Sequence, residues 1–338
     1  MAKEFRELRQ KVYDTSKLEF VPWELNGIHR EVYANFNFSI MIDDLCNADC
    51  SFCVAALRFE NQGQQFKKMR IADDEVYLTR LEEVLKVIRP LNPSVSITGG
   101  EPSKCSRLIA VMKLLHKYGF RKKTMTTNAS GLLSFTGSRR IIDHVIDCKY
   151  NHLNISRAHF DEAHNASIMR WKTGGASNGT LQQVFSELKH TCVAPRLSCL
   201  LLQEGIHTID QILEYVEFYS GLGCKTFIFR ELMDYNADAM SNRDKMSYCV
   251  ANKVALNDVW PLMDADSRFE RVTDILGYYY YVEVFRVGEC TVVSESADLK
   301  QLYIQKAANP GKVFEMVFHP NGFLNGGWID NEDVLWEF

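Results

Sequence analysis

Short apolar runs alternate with helix-like segments along the middle of this chain, and that alternation limits the possible folds more than any other feature. Six runs have the length and composition of buried strands, at 38–42, 94–98, 123–127, 152–156, 196–203 and 225–230. Segments with helical spacing of apolar residues lie between them, at 73–89, 105–117, 139–147 and 207–221. Strands and helices in this order form parallel βα units. Six units are too few for a closed eight-unit barrel, so the sequence predicts an α/β fold, a partial (βα)6 TIM-like barrel.

Three regions follow from this pattern. Residues 1–35 are mixed and charged and are predicted to be an N-terminal extension over one face of the barrel, which comprises residues 36–235. Residues 236–338 are predicted to form a C-terminal region, a helical linker followed by a small β-rich cap. We expect this cap to close the mouth of the barrel, because an open barrel leaves its sheet edges exposed.

Charge and hydropathy exclude several classes of protein. The 338 residues include 39 Lys and Arg against 43 Asp and Glu, a net charge of −4, so no basic field favours nucleic acid. No apolar run approaches the roughly 20 residues that span a bilayer. The charged first residues do not resemble a secretory signal. We therefore expect a cytoplasmic protein that binds neither membranes nor nucleic acid.

Three of the ten cysteines lie within eight residues of one another. Cys46, Cys50 and Cys53 form a Cys-x₃-Cys-x₂-Cys pattern directly after the first barrel strand, and the other seven are scattered singly. Iron–sulfur clusters ordinarily take four cysteines, so three would leave one iron open to a small chelating molecule. A structural zinc site needs a fourth Cys or His at short spacing, and no His occurs between the triplet and His116. The pattern favours one cluster over zinc.

The triplet, with Phe52 beside Cys53, resembles the signature of the radical S-adenosylmethionine (SAM) superfamily. A second match lies at the end of the second strand, where Gly99–Pro102 reads Gly-Gly-Glu-Pro and resembles the glycine-rich motif of that family. The resemblance covers about residues 36–235 and is closest to the molybdenum-cofactor GTP cyclase branch. It implies that the barrel is of the radical SAM type and that the three cysteines hold one 4Fe–4S cluster.

The same resemblance implies which residues contact SAM. They lie within the cysteine triplet and at the ends of the second, third and fourth strands: Phe52, Gly99, Gly100, Glu101, Thr127, Asn128 and Ser156. The carbonyl groups of Gly99 and Gly100 and the Glu101 side chain would accept hydrogen bonds from the amino group of SAM. The polar residues at the ends of the third and fourth strands would hold its carboxylate and ribose. Phe52 would pack against adenine or shield the cluster. Arg196 or Arg230 could pair with the carboxylate, and the sequence does not decide between them.

The function implied by the resemblance is radical chemistry. In the superfamily, the reduced cluster cleaves SAM to methionine and a 5′-deoxyadenosyl radical, which abstracts hydrogen from a substrate. We expect an enzyme acting on a small molecule, such as a nucleoside, sugar or natural-product precursor, with an electron donor such as flavodoxin or ferredoxin. Two alternatives stay open, a radical SAM modifier of a ribosomally made peptide and a non-catalytic iron–sulfur or metal-binding module.

The C-terminal half departs from the cyclase branch, which carries a second cluster on clustered C-terminal cysteines. It contains no Cys-x₂-Cys pair, so we expect a single cluster and no cyclic pyranopterin synthesis. Its aromatic residues could contact a substrate: Tyr278, Tyr279, Tyr280, Tyr281, Phe318, His319 and Trp328. Because alternate residues of a strand point inward in any case, the sequence favours core packing for them.

Overall fold

A computed structural model describes residues 11–16, 18–55, 70–233, 243–330 and 332–338. Its strands are β1 Phe20–Leu25, β2 Ile28–Tyr33, β3 Asn37–Met41, β4 Ser94–Thr98, β5 Lys122–Thr127, β6 Phe135–Thr136, β7 Arg139–Arg140, β8 His152–Ser156, β9 Ala194–Leu200, β10 Thr226–Arg230, β11 Glu270–Leu276, β12 Tyr280–Val287, β13 Cys290–Ala297, β14 Lys312–Val313, β15 Met316–Phe318, β16 Leu324–Asn325 and β17 Val334–Trp336. The helices that we label are α1 Asp74–Ile88, α2 Leu108–Tyr118, α3 Ile141–Asp147, α4 Glu162–Met169, α5 Asn178–Leu188, α6 Ile209–Gly221, α7 Arg243–Asn252, α8 Leu256–Ala265 and α9 Leu299–Ala308.

The six predicted barrel strands are present and lie side by side in the order β10-β9-β8-β5-β4-β3. Every neighbouring pair among them is parallel. Their ends are in register, since Met41 pairs with Thr98 and Thr127 pairs with Ile155. The predicted α/β class and partial barrel are therefore confirmed. This register also brings the segments that follow β3, β4, β5 and β8 to one end of the barrel.

The C-terminal strands extend the barrel sheet at both edges, which differs from the predicted cap over its mouth. Strand β13 pairs in parallel with β10, and β15 pairs in parallel with β3. Strands β12 and β11 then continue one edge, while β16 and β17 continue the other, giving a 12-stranded sheet. Pairing of this kind satisfies the backbone groups that the edge strands of an open barrel leave exposed. The proposed domain boundaries at residues 35 and 235 remain predictions.

The described part of the N-terminal region packs on the barrel through a β-hairpin. Strands β1 and β2 are antiparallel, and Asn26 and Gly27 between them both have positive φ, as a two-residue hairpin turn requires. Trp23 is buried in the main core, and its indole N–H donates to the Val87 carbonyl oxygen at 3.1 Å. This contact fixes the hairpin against the end of α1.

Local sequence signals explain the helices that were predicted. The Asp73 carboxylate caps α1 by accepting hydrogen bonds from the backbone N–H groups of Glu75 and Val76. Gly119 ends α2 in the left-handed conformation, with φ of 65°.

In the part of the chain that the structure describes, no helix combines the length and apolar character needed to cross a bilayer.

Candidate functional site

A cavity of about 260 Å³ opens at the end of the barrel where the central strands finish. Its lining includes every residue predicted to hold the cluster or SAM: Cys46, Cys50, Phe52, Cys53, Gly99, Gly100, Glu101, Thr127, Asn128 and Ser156. These residues come from the loop after β3 and from the ends of β4, β5 and β8. Parallel pairing therefore brings them together, and their individual roles stay predictions.

All ten cysteines carry free thiols, and the three of the triplet are partly buried. Burial raises the pKa of the Cys46 thiol. Burial also raises the pKa of the Cys50 thiol, and the neighbouring thiols of Cys53 and Cys46 raise it further. Three thiolates in this loop repel one another unless they share a cation. Iron supplies that cation, so the donor set suits an iron–sulfur cluster.

Within the described ranges, no three Cys, His, Asp or Glu side chains are gathered as the ligands of one ion. The preference for a cluster over a structural zinc ion rests on the sequence, in which no fourth Cys or His lies at short spacing from the triplet.

The two glycines pack against the chain segment that leads into Cys46. A Cβ on Gly100 would collide with the backbone of Leu45, and one on Gly99 would collide with the backbone of Asp43. The Gly100 N–H donates to the Asp43 carbonyl oxygen at 2.8 Å, and the Glu101 N–H donates to that of Leu45 at 2.8 Å. The resemblance implied that these glycines meet the amino group of SAM. The structure shows that the missing side chains let the end of β4 hold the start of the cysteine loop.

Glu101 forms an internal hydrogen-bond network. Its side chain is 2% exposed and accepts from the Ser103 N–H at 2.9 Å and the Ser103 hydroxyl at 2.6 Å. It also accepts from the Thr127 hydroxyl and from the Asn128 N–H, the latter at 2.6 Å. Burial raises the pKa of this carboxyl, and its donors act in the opposite direction. The carboxylate thus ties β4 to β5, with three protein donors on Oε1 and one on Oε2.

Asn128 links the polar strand ends to the cysteine loop. Its amide nitrogen donates to the Asn47 side-chain oxygen at 2.9 Å, and Asn47 in turn donates to the Gly174 carbonyl oxygen at 3.0 Å. Phe52 packs with Cys50 against an apolar cluster that includes Met169. The role of Phe52, packing against adenine or shielding the cluster, stays a prediction.

Comparison with known proteins shows what this chain is similar to. No family model matches the chain. A probable GTP 3′,8-cyclase from Sulfurisphaera tokodaii is 23% identical over 208 residues, which cover 58% of this chain and 60% of the relative. The chain thus spans about three fifths of the length of that relative. The structure of Streptococcus suis SuiB bound to precursor peptide SuiA aligns with a TM-score of 0.56 at 16% identity, covering 87% of this chain and 59% of SuiB. The fold of SuiB is thus shared over most of this chain, and the resemblance to the GTP 3′,8-cyclase branch is supported by the sequence match.

A more distant radical SAM structure also aligns. The radical SAM methyltransferase TsrM from Kitasatospora setae, with tryptophan substrate and a SAM analogue bound, has a TM-score of 0.41 at 10% identity, covering 58% of this chain and 36% of TsrM. The resemblance predicted from the cysteine triplet and the glycine-rich motif is borne out by the match to a GTP 3′,8-cyclase.

The structure distinguishes the two arginines that the sequence left open. Arg230 lines the cavity, and its Nε atom is buried without a hydrogen-bond acceptor. Its Nη2 atom lies 3.4 Å from the Glu295 carboxylate. Arg196 instead donates from Nε to the Asn154 side-chain oxygen at 2.8 Å and does not line the cavity. Arg230 is therefore the better placed of the two to meet an anionic group there.

Sequence reasoning missed Lys245, which supports the cysteine loop from helix α7. Lys245 is 7% exposed, and its Nζ atom donates to the Asp49 carboxylate at 2.8 Å and to the Cys50 carbonyl oxygen at 2.7 Å. Arg170 lies 3.3 Å from the same carboxylate. No motif surrounds Lys245, and it lies 195 residues from Cys50 in sequence, so no local signal could have identified it.

Replacing Lys245 with methionine should weaken the cysteine loop while keeping the apolar stem of the side chain. We expect the urea-unfolding free energy of the cluster-free protein to fall by about 2 kcal/mol, because a partly buried carboxylate and a carbonyl lose their charged donor. Iron retained after desalting should fall as well. The matched control is Lys225→Met, which removes an exposed ion pair with Glu289 and should leave the unfolding free energy almost unchanged. Equal effects of the two substitutions would contradict the role of Lys245.

Proposed function

We propose that this chain is a radical SAM enzyme in which Cys46, Cys50 and Cys53 hold one 4Fe–4S cluster and the adjoining cavity binds SAM. The observation that carries the proposal is the convergence of the three thiols and the glycine-rich motif on one cavity at the ends of parallel strands. The donor set fits the cluster, and the chain that we describe supplies polar groups around the cavity for a charged nucleoside.

The cluster, when bound, supplies the electron that cleaves SAM to methionine and a 5′-deoxyadenosyl radical able to abstract hydrogen from a substrate. The protein binds and orients the participants. Because the Glu101 carboxylate is engaged by four protein donors, we assign the amino group of SAM to the carbonyls of Gly99 and Gly100. We assign its carboxylate to Arg230, whose guanidinium suits a carboxylate, and its ribose to polar groups near Ser156. Phe52 excludes water from the cluster side of the cavity.

We further propose a small-molecule substrate, an external electron donor such as flavodoxin or ferredoxin, and a single cluster. The absence of a Cys-x₂-Cys pair from the C-terminal half of the sequence supports a single cluster. Ten free thiols suit the reducing cytoplasm, where we place the protein.

A ribosomally made peptide is the second candidate substrate. One observation favours it: the fold match that spans 87% of this chain is to SuiB in complex with its precursor peptide. The third candidate, a non-catalytic iron–sulfur module, would have no use for a polar cavity beside its cluster.

SAM cleavage tests the proposal directly. We expect anaerobically reconstituted protein, reduced with dithionite, to convert SAM to 5′-deoxyadenosine, measured by liquid chromatography. The same holoprotein without reductant is the matched control and should form none, because cleavage needs the electron. Iron-loaded, reduced protein that binds no SAM would indicate the non-catalytic module, and protein that takes up zinc in preference to iron would refute the assignment of the site. Deuterium transferred into 5′-deoxyadenosine from labelled small molecules or peptides separates the two substrate classes.

A further inference from the structure

A second cavity, of about 230 Å³, adjoins the site and is named the annex here. The annex and the proposed SAM cavity share part of their walls: Val54, Thr98, Gly99 and Met233 line both. Its other walls come from β3, helix α9 and the segments that flank β12 and β15. The annex is therefore built jointly by the barrel and the C-terminal region, directly beside the glycine-rich motif.

The annex has apolar walls. Leu299 and Leu302 contribute the buried face of α9 and pack in one apolar cluster that Tyr279 also contacts. On the opposite side, Trp328 packs against Met41. The sequence favoured core packing for Tyr279 and Trp328, and both pack against apolar clusters while also lining the cavity.

One wall of the annex is fixed by polar contacts behind it. The Trp328 indole N–H donates to the Glu315 carboxylate at 3.1 Å, and Lys306 lies 4.0 Å from the same carboxylate. Lys306 also donates to the Gly326 carbonyl oxygen at 2.7 Å, close in sequence to Trp328. The indole is therefore held in one orientation. Among the lining residues that the structure describes, Glu315 carries the only formal charge, and a carboxylate disfavours phosphate groups.

Size and chemistry together define the group that fits. An apolar protein cavity of about 150 Å³ binds benzene. A cavity of 230 Å³ accommodates an aromatic or branched aliphatic group the size of a large side chain, and it is too small and too apolar for a nucleoside triphosphate. Burial of such a group beside Gly99 would place the carbon that bears it next to the proposed SAM cavity.

We propose that the annex is the substrate subsite of this enzyme and that it binds an apolar, side-chain-sized group of the substrate. This proposal rests on the proposed function, because it names the class of substrate that the proposed enzyme would bind beside its SAM cavity. The group belongs either to a small molecule or to a residue of a peptide, since both present the same chemistry to the annex.

The test uses indole as the probe, with holoenzyme that carries its cluster and SAM but is not reduced. We expect calorimetry or ligand-observed NMR to detect indole binding, and the substitution Leu302→Trp, which fills the annex from α9, to weaken it at least tenfold. Leu299→Phe is a smaller filling change and should weaken it in the same direction. The matched control is Ile304→Phe on the exposed side of α9, which should leave the affinity within about twofold.

Competition experiments identify the source of the group. Displacement of indole by a short tryptophan-containing peptide supports a peptide substrate in the annex, and displacement by N-acetyltryptophan amide alone supports a small molecule. Displacement by GTP at equal concentration, or indole binding that survives both filling substitutions, overturns the proposal.

Formation of 5′-deoxyadenosine is measured in separate reduced samples of the unsubstituted enzyme and of the same variants. Absence of SAM cleavage in the unsubstituted enzyme with intact indole binding refutes the proposed function, whereas SAM cleavage without indole binding refutes the annex.

Discussion

Replacing Cys46, Cys50 and Cys53 together with alanine is expected to lower the iron of reconstituted protein from about four atoms per chain to near zero. Formation of 5′-deoxyadenosine should fall below detection in the same samples. Each single substitution should give nearly the same result, because two thiolates cannot retain a cluster that already lacks one protein ligand. Iron and sulfide analysis, together with the visible absorption of the cluster, measures the outcome.

The informative control is Cys249→Ala. Cys249 on α7 is buried in the apolar cluster against which Cys50 and Phe52 pack, so it is a cysteine close to the triplet. If three thiolates hold the cluster, this variant keeps its iron and its SAM cleavage. If its iron is lost, a fourth thiolate fills the coordination position that SAM needs, and the proposed function fails. Cys192, which is exposed and distant in sequence, should be replaceable without effect on iron.

The sequence predicted the parts of this fold that depend on short stretches of chain. Each barrel strand is a local apolar run, and the side of the barrel that carries chemistry follows from the parallel order alone. The cysteine triplet and the glycine-rich motif each lie within eight residues, so their spacing is visible without any structure. That is why the predicted cluster and SAM residues line one cavity.

The pairing of strands that are distant in the chain could not be predicted from the sequence. Strand β13 joins β10 and strand β15 joins β3, and nothing in their local patterns selects an edge of the barrel over a separate cap. Helix α4 was missed because its eight residues include only a few large apolar side chains, which gives weak helical periodicity. Lys245 acquires its position only when distant segments pack together, so its contribution to the cysteine loop had no sequence signal. Trp328 was named among the aromatic residues able to contact a substrate, but its place on the annex wall depends on the same long-range packing.

The substitution Glu101→Gln should both destabilise the protein and disturb the site. The carboxylate accepts four hydrogen bonds in a buried position. Glutamine replaces one acceptor oxygen with an NH₂ donor, which then faces a donor of Ser103, Thr127 or Asn128. We expect the urea-unfolding free energy of the cluster-free protein to fall by about 3 kcal/mol, because a buried donor is left unsatisfied and charge-assisted hydrogen bonds are lost. The control Glu217→Gln makes the same chemical change on the exposed face of α6 and should stay within about 0.5 kcal/mol.

The same variant decides between two roles for Glu101. If the carboxylate holds β4 and β5 together, the substitution lowers stability first, and SAM affinity falls because Gly100 and Asn128 shift with it. The double variant with Thr127→Val should then be less destabilised than the sum of the single changes, since both remove the same hydrogen bond. If the carboxylate instead binds the amino group of SAM directly, Glu101→Gln weakens SAM binding and leaves the unfolding free energy of the SAM-free protein unchanged. That second pattern would return the amino group to Glu101 and would make the hydrogen-bond network incidental to the fold.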